Sequence, residues 1–113
     1  MIKAAVLGAT GYAGIELVRL LTNHPGVSIE ILGSQSFDGQ SISDVYPNFK
    51  GVLDKKCEKV DVNAVAKCDV AFTALPHGAS KEVIPSIIEK GVRVIDLSGD
   101  FRYDDIEVYE KWY

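Results

Sequence analysis

Cysteine is scarce in this sequence. Only Cys57 and Cys68 occur in 113 residues, and their spacing fits neither a C-x-x-C redox pair nor a zinc knuckle, so no metal site is expected. Histidine is equally rare, with His24 and His77 alone. Basic clusters are missing: Lys55-Lys56 is an isolated pair, and 12 Lys+Arg against 16 Asp+Glu leave a formal charge of −4. That balance argues against nucleic acid or an anionic membrane surface as a general partner. No apolar run approaches the roughly 20 residues of a membrane span. Lys3, followed by a strand-length apolar run and then glycines, is not the layout of a signal peptide, and a cytoplasmic location is the default expectation. What remains is an ordinary globular composition, 47% apolar and 25% charged, sufficient for one core and one domain.

Glycine, by contrast, is concentrated where it carries meaning. The apolar run Ala4-Ala5-Val6-Leu7 stops at Gly8, and Gly11 and Gly14 follow before an amphipathic stretch. Strand, glycine turn and helix in this order open a nucleotide-binding βαβ unit. Gly8 lets the chain turn sharply off the strand, Gly11 removes a Cβ from the path of a pyrophosphate, and Gly14 lets the helix lie close to the sheet. The N–H groups of the first helical turn then face the phosphates. The spacing is G-x-x-G-x-x-G rather than the commoner G-x-G-x-x-G, and its position between strand and helix is what gives it weight.

Apolar spacing predicts a helix over 12–23, with Ile15, Leu17, Val18, Leu20 and Leu21 on the buried face. Asn23-His24-Pro25-Gly26 ends it, placing His24 beside the helix terminus. A second strand covers Val27–Leu32, alternating around Glu30. A dinucleotide fold meets the adenosine ribose just beyond this strand, where a carboxylate favours NAD. Gly33-Ser34-Gln35-Ser36 stands there instead, neutral and rich in hydroxyls, which favours a 2′-phosphate and hence NADP; Asp38 is near enough to keep NAD as the alternative. Residues 37–60 form the least regular part, with one helical turn over Ile42–Val45 and a solvated run over Lys55–Lys59. Within that run Cys57 reads as a surface thiol without a role, or as a thiolate favoured by its two preceding lysines. Cys68 reads as a small buried residue.

A short helix is expected over Val62–Ala66, a buried strand over Asp69–Ala74, a helix over Ser80–Lys90 and a strand over Val92–Ile95. Two further loops then lie at the carboxyl edge of the sheet, where open α/β sheets bind ligands. In Leu75-Pro76-His77-Gly78-Ala79-Ser80, His77 reads as a turn or capping residue before a proton-transfer group. In Asp96-Leu97-Ser98-Gly99-Asp100-Phe101-Arg102, either Asp100 pairs with Arg102, or Ser98 or Arg102 faces an anionic substrate. A helix carrying Tyr109, Trp112 and Tyr113 is expected over 104–113, and its aromatic surface predicts self-association. The fold class is α/β: a doubly wound, mostly parallel sheet with helices on both faces.

Three stretches, Gly-Ala-Thr-Gly-Tyr-Ala-Gly-Ile-Glu-Leu (8–17), Ala-Leu-Pro-His-Gly-Ala-Ser (74–80) and Asp-Leu-Ser-Gly-Asp-Phe-Arg (96–102), occur in an order and spacing that resembles the N-terminal part of the N-acetyl-γ-glutamyl-phosphate reductases of arginine biosynthesis. The glycine motif alone is shared with aspartate-semialdehyde dehydrogenases. The resemblance covers the whole chain, and Tyr109–Tyr113 also looks like that family's next segment. It implies an enzyme that reduces an acyl phosphate to an aldehyde with NADPH, through a cysteine thiolate that displaces phosphate and a thioester that accepts hydride. By this resemblance Gly8, Thr10, Gly11, Tyr12, Ala13 and Gly14 would hold the pyrophosphate and Ser34 the 2′-phosphate region. Leu75, Pro76 and His77 would lie nearer the nicotinamide. Gln35 stands where the family often has arginine, and Gly99 where alanine is usual. The family's nucleophilic cysteine lies in a Gly-Cys-Tyr-Pro-like segment that neither Cys57 nor Cys68 matches, and its assisting histidine is not His77. No catalytic residue is therefore assigned. The resemblance makes residues 1–113 a cofactor domain without its catalytic half, inactive alone, from an enzyme expected to be a homo-oligomer acting on a small acyl phosphate. The alternatives are a reductase of the aspartate-semialdehyde type and a non-catalytic module that senses the dinucleotide.

Overall fold

The apolar run at the start of the chain forms β1, Ile2–Leu7, in which Ala4 to Leu7 are fully buried. In this computed structural model residues 1–75 and 80–97 are described. β1 leads through the glycine turn into α1 (Tyr12–Thr22), then β2 (Val27–Gly33), α2 (Ile42–Val45), a 3₁₀ turn (Pro47–Phe49) and β3 (Cys57–Glu58). The chain continues through α3 (Val62–Val65), β4 (Val70–Thr73), α4 (Ser80–Glu89) and β5 (Arg93–Asp96). All five strands are parallel, in the order β3-β2-β1-β4-β5. β1 is central: β2 and β3 spread to one side of it, β4 and β5 to the other. The expected doubly wound sheet is thus present, and among the described strands it is wholly parallel.

Alternation along β1 explains the two layers of helices. Ala5 and Leu7 pack on one face with Val65 of α3 and Ile87 of α4, while Val6 packs on the other with Val18 and Leu21 of α1 and Ile42 of α2. Pairing of β1 with β2 shifts at Glu30: Ala4 is opposite Ile29, and Ala5 is opposite Ile31. This bulge leaves Glu30 exposed and resets the register so that Ile31 joins the Ala5 side and Leu32 the Val6 side. The strand therefore does not alternate uninterrupted around Glu30. Leu20, expected on the inner face of α1, is 56% exposed, because the buried stripe runs through Gly14, Val18 and Leu21. At the end of α1 the backbone N–H of His24 donates to the Leu21 carbonyl, and its Nδ1 accepts from the Gly26 N–H.

Residues 37–60 are more ordered than their composition suggests. Ser41 caps α2 by accepting from the Ser43 N–H, as a short hydroxyl side chain at an N-cap does. Ile42 and Phe49 are buried in the Val6 core. Lys55–Lys59 is not simply a solvated run, since it contains β3: Cys57 lies opposite Leu32 and is 1% exposed. Cys57 is therefore neither a surface thiol nor an activated one; burial pushes its pKa up, the reverse of activation by lysines. Cys68 is buried as expected, and burial first, then Glu30 and Asp69, raise its pKa as well. Both thiols should react with an aromatic disulfide reagent at least about ten-fold more slowly in the folded chain than after denaturation. Rapid stoichiometric labelling of the native protein would contradict this burial. Expectations for Pro76, His77, Ser98, Asp100, Arg102 and the helix over 104–113 lie outside the described residues.

Candidate functional site

The carboxyl ends of β1 and β4 meet where the strand order reverses, and the glycine turn lies on that seam. Gly8 has φ +87°, a left-handed conformation that glycine adopts without a Cβ penalty. Its N–H and that of Ala9 both donate to the Gly33 carbonyl, at 2.8 and 3.0 Å, tying the turn to the end of β2. Gly11 N–H donates to the Gly8 carbonyl at 3.2 Å, and Ile15 N–H to the Gly11 carbonyl at 2.8 Å, so the turn passes directly into α1. Its N-cap is Gly11, and no described side chain caps the helix. The N–H groups of its first turn are the ones a helix leaves without internal partners, and they carry the positive end of its dipole.

The three glycines differ in what the surrounding protein asks of them. A Cβ on Gly8 would collide with the Ala74 carbonyl oxygen, and one on Gly14 with the Gly8 carbonyl oxygen. Among the described residues a Cβ on Gly11 would meet only the Gly8 carbonyl oxygen, at an ordinary 3.6 Å, and its backbone is extended at φ −78°, ψ 171°. Among the described residues nothing stands in the way of a side chain at position 11.

Beside this turn lies a cavity of about 530 Å³ lined by Gly8, Thr10 and Gly11, by the 34–37 loop after β2, and by Val60, Ala74 and Leu75. None of the described lining side chains is charged. Ser34 is 4% exposed. Its hydroxyl shares a 2.9 Å hydrogen bond with the Thr10 hydroxyl and accepts from the Phe37 N–H at 3.3 Å, while its own N–H donates to the Glu58 carbonyl. The loops after β1 and β2 are thus bonded to each other through side chains. Gln35 and Ser36 are exposed at the cavity, whereas the Asp38 carboxylate accepts from the Lys59 N–H at 3.2 Å. β4 joins the site through Ala74, whose N–H donates to the Leu7 carbonyl.

Of the residues singled out from sequence, Gly8, Thr10, Gly11, Ser34 and Leu75 line this one cavity, and Tyr12, Ala13 and Gly14 form the adjoining first turn of α1. Tyr12 is almost fully exposed. Pro76 and His77 lie outside the described residues. Sequence reasoning missed Phe37, Val60 and Ala74 as lining residues, and it missed Tyr46, whose hydroxyl donates to the Thr10 carbonyl at 2.6 Å. No local motif marks Phe37, Val60 or Tyr46, whereas Ala74 opens the 74–80 stretch singled out above without being marked there as a lining residue. Among the described residues no cluster of His, Cys, Asp or Glu suited to a metal ion occurs, and no helix is long and apolar enough to cross a membrane.

A five-stranded parallel sheet in this order, with a glycine turn opening a helix at the switch point, defines a Rossmann-type dinucleotide-binding domain. Residues 3–111 match the family described as semialdehyde dehydrogenase, NAD binding domain, and the chain belongs to that family. It is 55% identical over its whole length to the N-acetyl-gamma-glutamyl-phosphate reductase of Acetivibrio thermocellus and 51% identical to that of Halothermothrix orenii, covering 33% of each. The chain thus spans about a third of the length of these curated relatives. Among solved structures it is similar to the aspartate semialdehyde dehydrogenase with NADP from Candida albicans, with a TM-score of 0.78 and 28% identity, covering 92% of this chain and 31% of that one.

Proposed function

We propose that this chain holds NADP(H) for an N-acetyl-γ-glutamyl-phosphate reductase, an enzyme converting an acyl phosphate to the corresponding aldehyde. One observation supports the cofactor part above others: position 11 is glycine although neither its backbone conformation nor its neighbours among the described residues ask for one. A group outside the protein that must approach that backbone closely accounts for it, and a pyrophosphate on the helix N-terminus is such a group. In this reading the N–H groups of Tyr12, Ala13 and Gly14 face the phosphates. Gln35 and Ser36 face the 2′-phosphate, with Ser34 beneath them holding the loop in place. The described lining side chains carry no charge to repel that phosphate, and the Asp38 carboxylate is engaged by the Lys59 N–H. Leu75, with Pro76 and His77 beyond it, would lie toward the nicotinamide, which supplies hydride when bound. Relatives of 51–55% identity carry the acetylglutamyl-phosphate name, against 28% for the aspartate semialdehyde dehydrogenase neighbour, which favours the first substrate class.

Calorimetric titration of the chain with NADPH and with NADH tests the cofactor assignment. Tighter binding of NADPH by about ten-fold, equivalent to roughly 1.4 kcal/mol, is expected. A preference for NADH would overturn it and make Asp38 the ribose acceptor. The substrate assignment is tested with both acyl phosphates on the complete enzyme to which residues 1–113 belong. That enzyme should oxidise NADPH with N-acetyl-γ-glutamyl phosphate and not with β-aspartyl phosphate.

A further inference from the structure

Beyond the 34–38 loop, the segment between β2 and β3 contains no residue with a role in ligand binding assigned above, yet it sends one side chain across 36 positions of sequence to the glycine turn. Tyr46 ends α2, where its N–H donates to the Ile42 carbonyl at 2.8 Å, and its own carbonyl accepts from the Phe49 N–H at 3.0 Å. Ile42 and Phe49 are buried, and Tyr46 itself packs against their core. The phenol is therefore carried on a rigid base. Its hydroxyl donates to the Thr10 carbonyl at 2.6 Å.

We propose that Tyr46 is a positioning residue for pyrophosphate binding, acting through the Thr10–Gly11 peptide. A peptide unit is planar and trans, so fixing its carbonyl also fixes its N–H. Tyr46 holds the carbonyl end of this unit and the Gly8 carbonyl accepts from its N–H end, while the Thr10 side chain is held separately by Ser34. The Gly11 carbonyl in turn receives the first hydrogen bond of α1, so the orientation of this peptide sets the direction of the N–H groups that follow. Without the phenol hydroxyl, the turn has to be ordered by the ligand, at a cost in affinity. This inference rests on the dinucleotide reading above.

The test compares the wild-type chain with Tyr46→Phe, which keeps the ring in the core and removes only the donor. Three ligands are titrated: NADPH and ADP, which carry the diphosphate, and adenosine 2′-monophosphate, which does not. The variant should bind NADPH and ADP about five-fold more weakly, the size of effect one lost hydrogen bond produces, and adenosine 2′-monophosphate equally well. Unchanged affinity for ADP and NADPH would overturn the inference. So would an equal loss for all three ligands, or loss of the cooperative unfolding transition, since either makes the hydroxyl a support of the fold at large. A wild-type chain that binds none of the three overturns the dinucleotide reading itself and the inference with it.

Discussion

Gly8→Ala should unfold most of what makes this domain stable. Two independent costs fall on the one methyl group. The backbone at φ +87° puts an L side chain in the left-handed region, at about 1–2 kcal/mol. The new Cβ also meets the Ala74 carbonyl oxygen and carbon, which are backbone atoms of the strand end paired with β1 and cannot rotate away. Overpacking of this kind costs roughly 1–3 kcal/mol. Together they amount to about 2–5 kcal/mol, a large part of the 5–15 kcal/mol typical of a domain. For a chain of this size the thermal midpoint should fall by on the order of 10–25 °C. The damage would be central, because Gly8 and Ala9 bind the end of β2 while Ala74 extends the pairing of β4 with β1. Differential scanning calorimetry of the variant measures it directly. A midpoint within a few degrees of wild type would mean that the β1–β4 seam is not packed as described.

The same three glycines show how far sequence alone reached. Their spacing after an apolar strand identified the turn, the helix and the nucleotide-binding class, because backbone geometry leaves few other uses for that pattern. It also gave Gly8 the turn, Gly14 the close helix approach and Gly11 the room for a ligand; the structure adds the atoms responsible, since backbone atoms demand glycine at 8 and 14 and no described residue demands it at 11. Strands with strong apolar runs were legible for the same reason. β3 was not, since a two-residue strand flanked by lysines has no periodicity to detect, and its one buried side chain is Cys57. The register shift at Glu30 escaped as well, because a bulge is a property of two strands together. At the site, the 34–36 loop was legible from its position after β2. Its internal use of Ser34 was not, because that hydroxyl is consumed by Thr10 and Phe37 rather than offered to the cavity. Tyr46 is the extreme case: a contact between residues 36 apart leaves no trace in local pattern.

Gly11→Val should leave the fold intact and abolish dinucleotide binding. Position 11 is extended at φ −78°, ψ 171°, a region that β-branched residues occupy readily. A Cβ there comes no nearer than 3.6 Å to any described residue other than its chain neighbours, so their packing does not resist it. Valine is a poorer N-cap than glycine, but it also restricts the unfolded chain, and these opposing effects leave a net change within about 1 kcal/mol. The new methyl groups, however, would stand at the mouth of the α1 N-terminus, against the cavity that Thr10 and Gly11 line. A diphosphate seated on those N–H groups would have to retreat beyond hydrogen-bond distance, so affinity for NADPH should fall by more than about 100-fold, or roughly 2.7 kcal/mol. The contrast with Gly8→Ala is the informative part: one glycine variant loses stability, the other loses only ligand. Calorimetric titration together with a thermal melt of Gly11→Val reads both quantities. A correctly folded variant with unchanged NADPH affinity would place the phosphates elsewhere in the molecule and remove the main support for the cofactor reading.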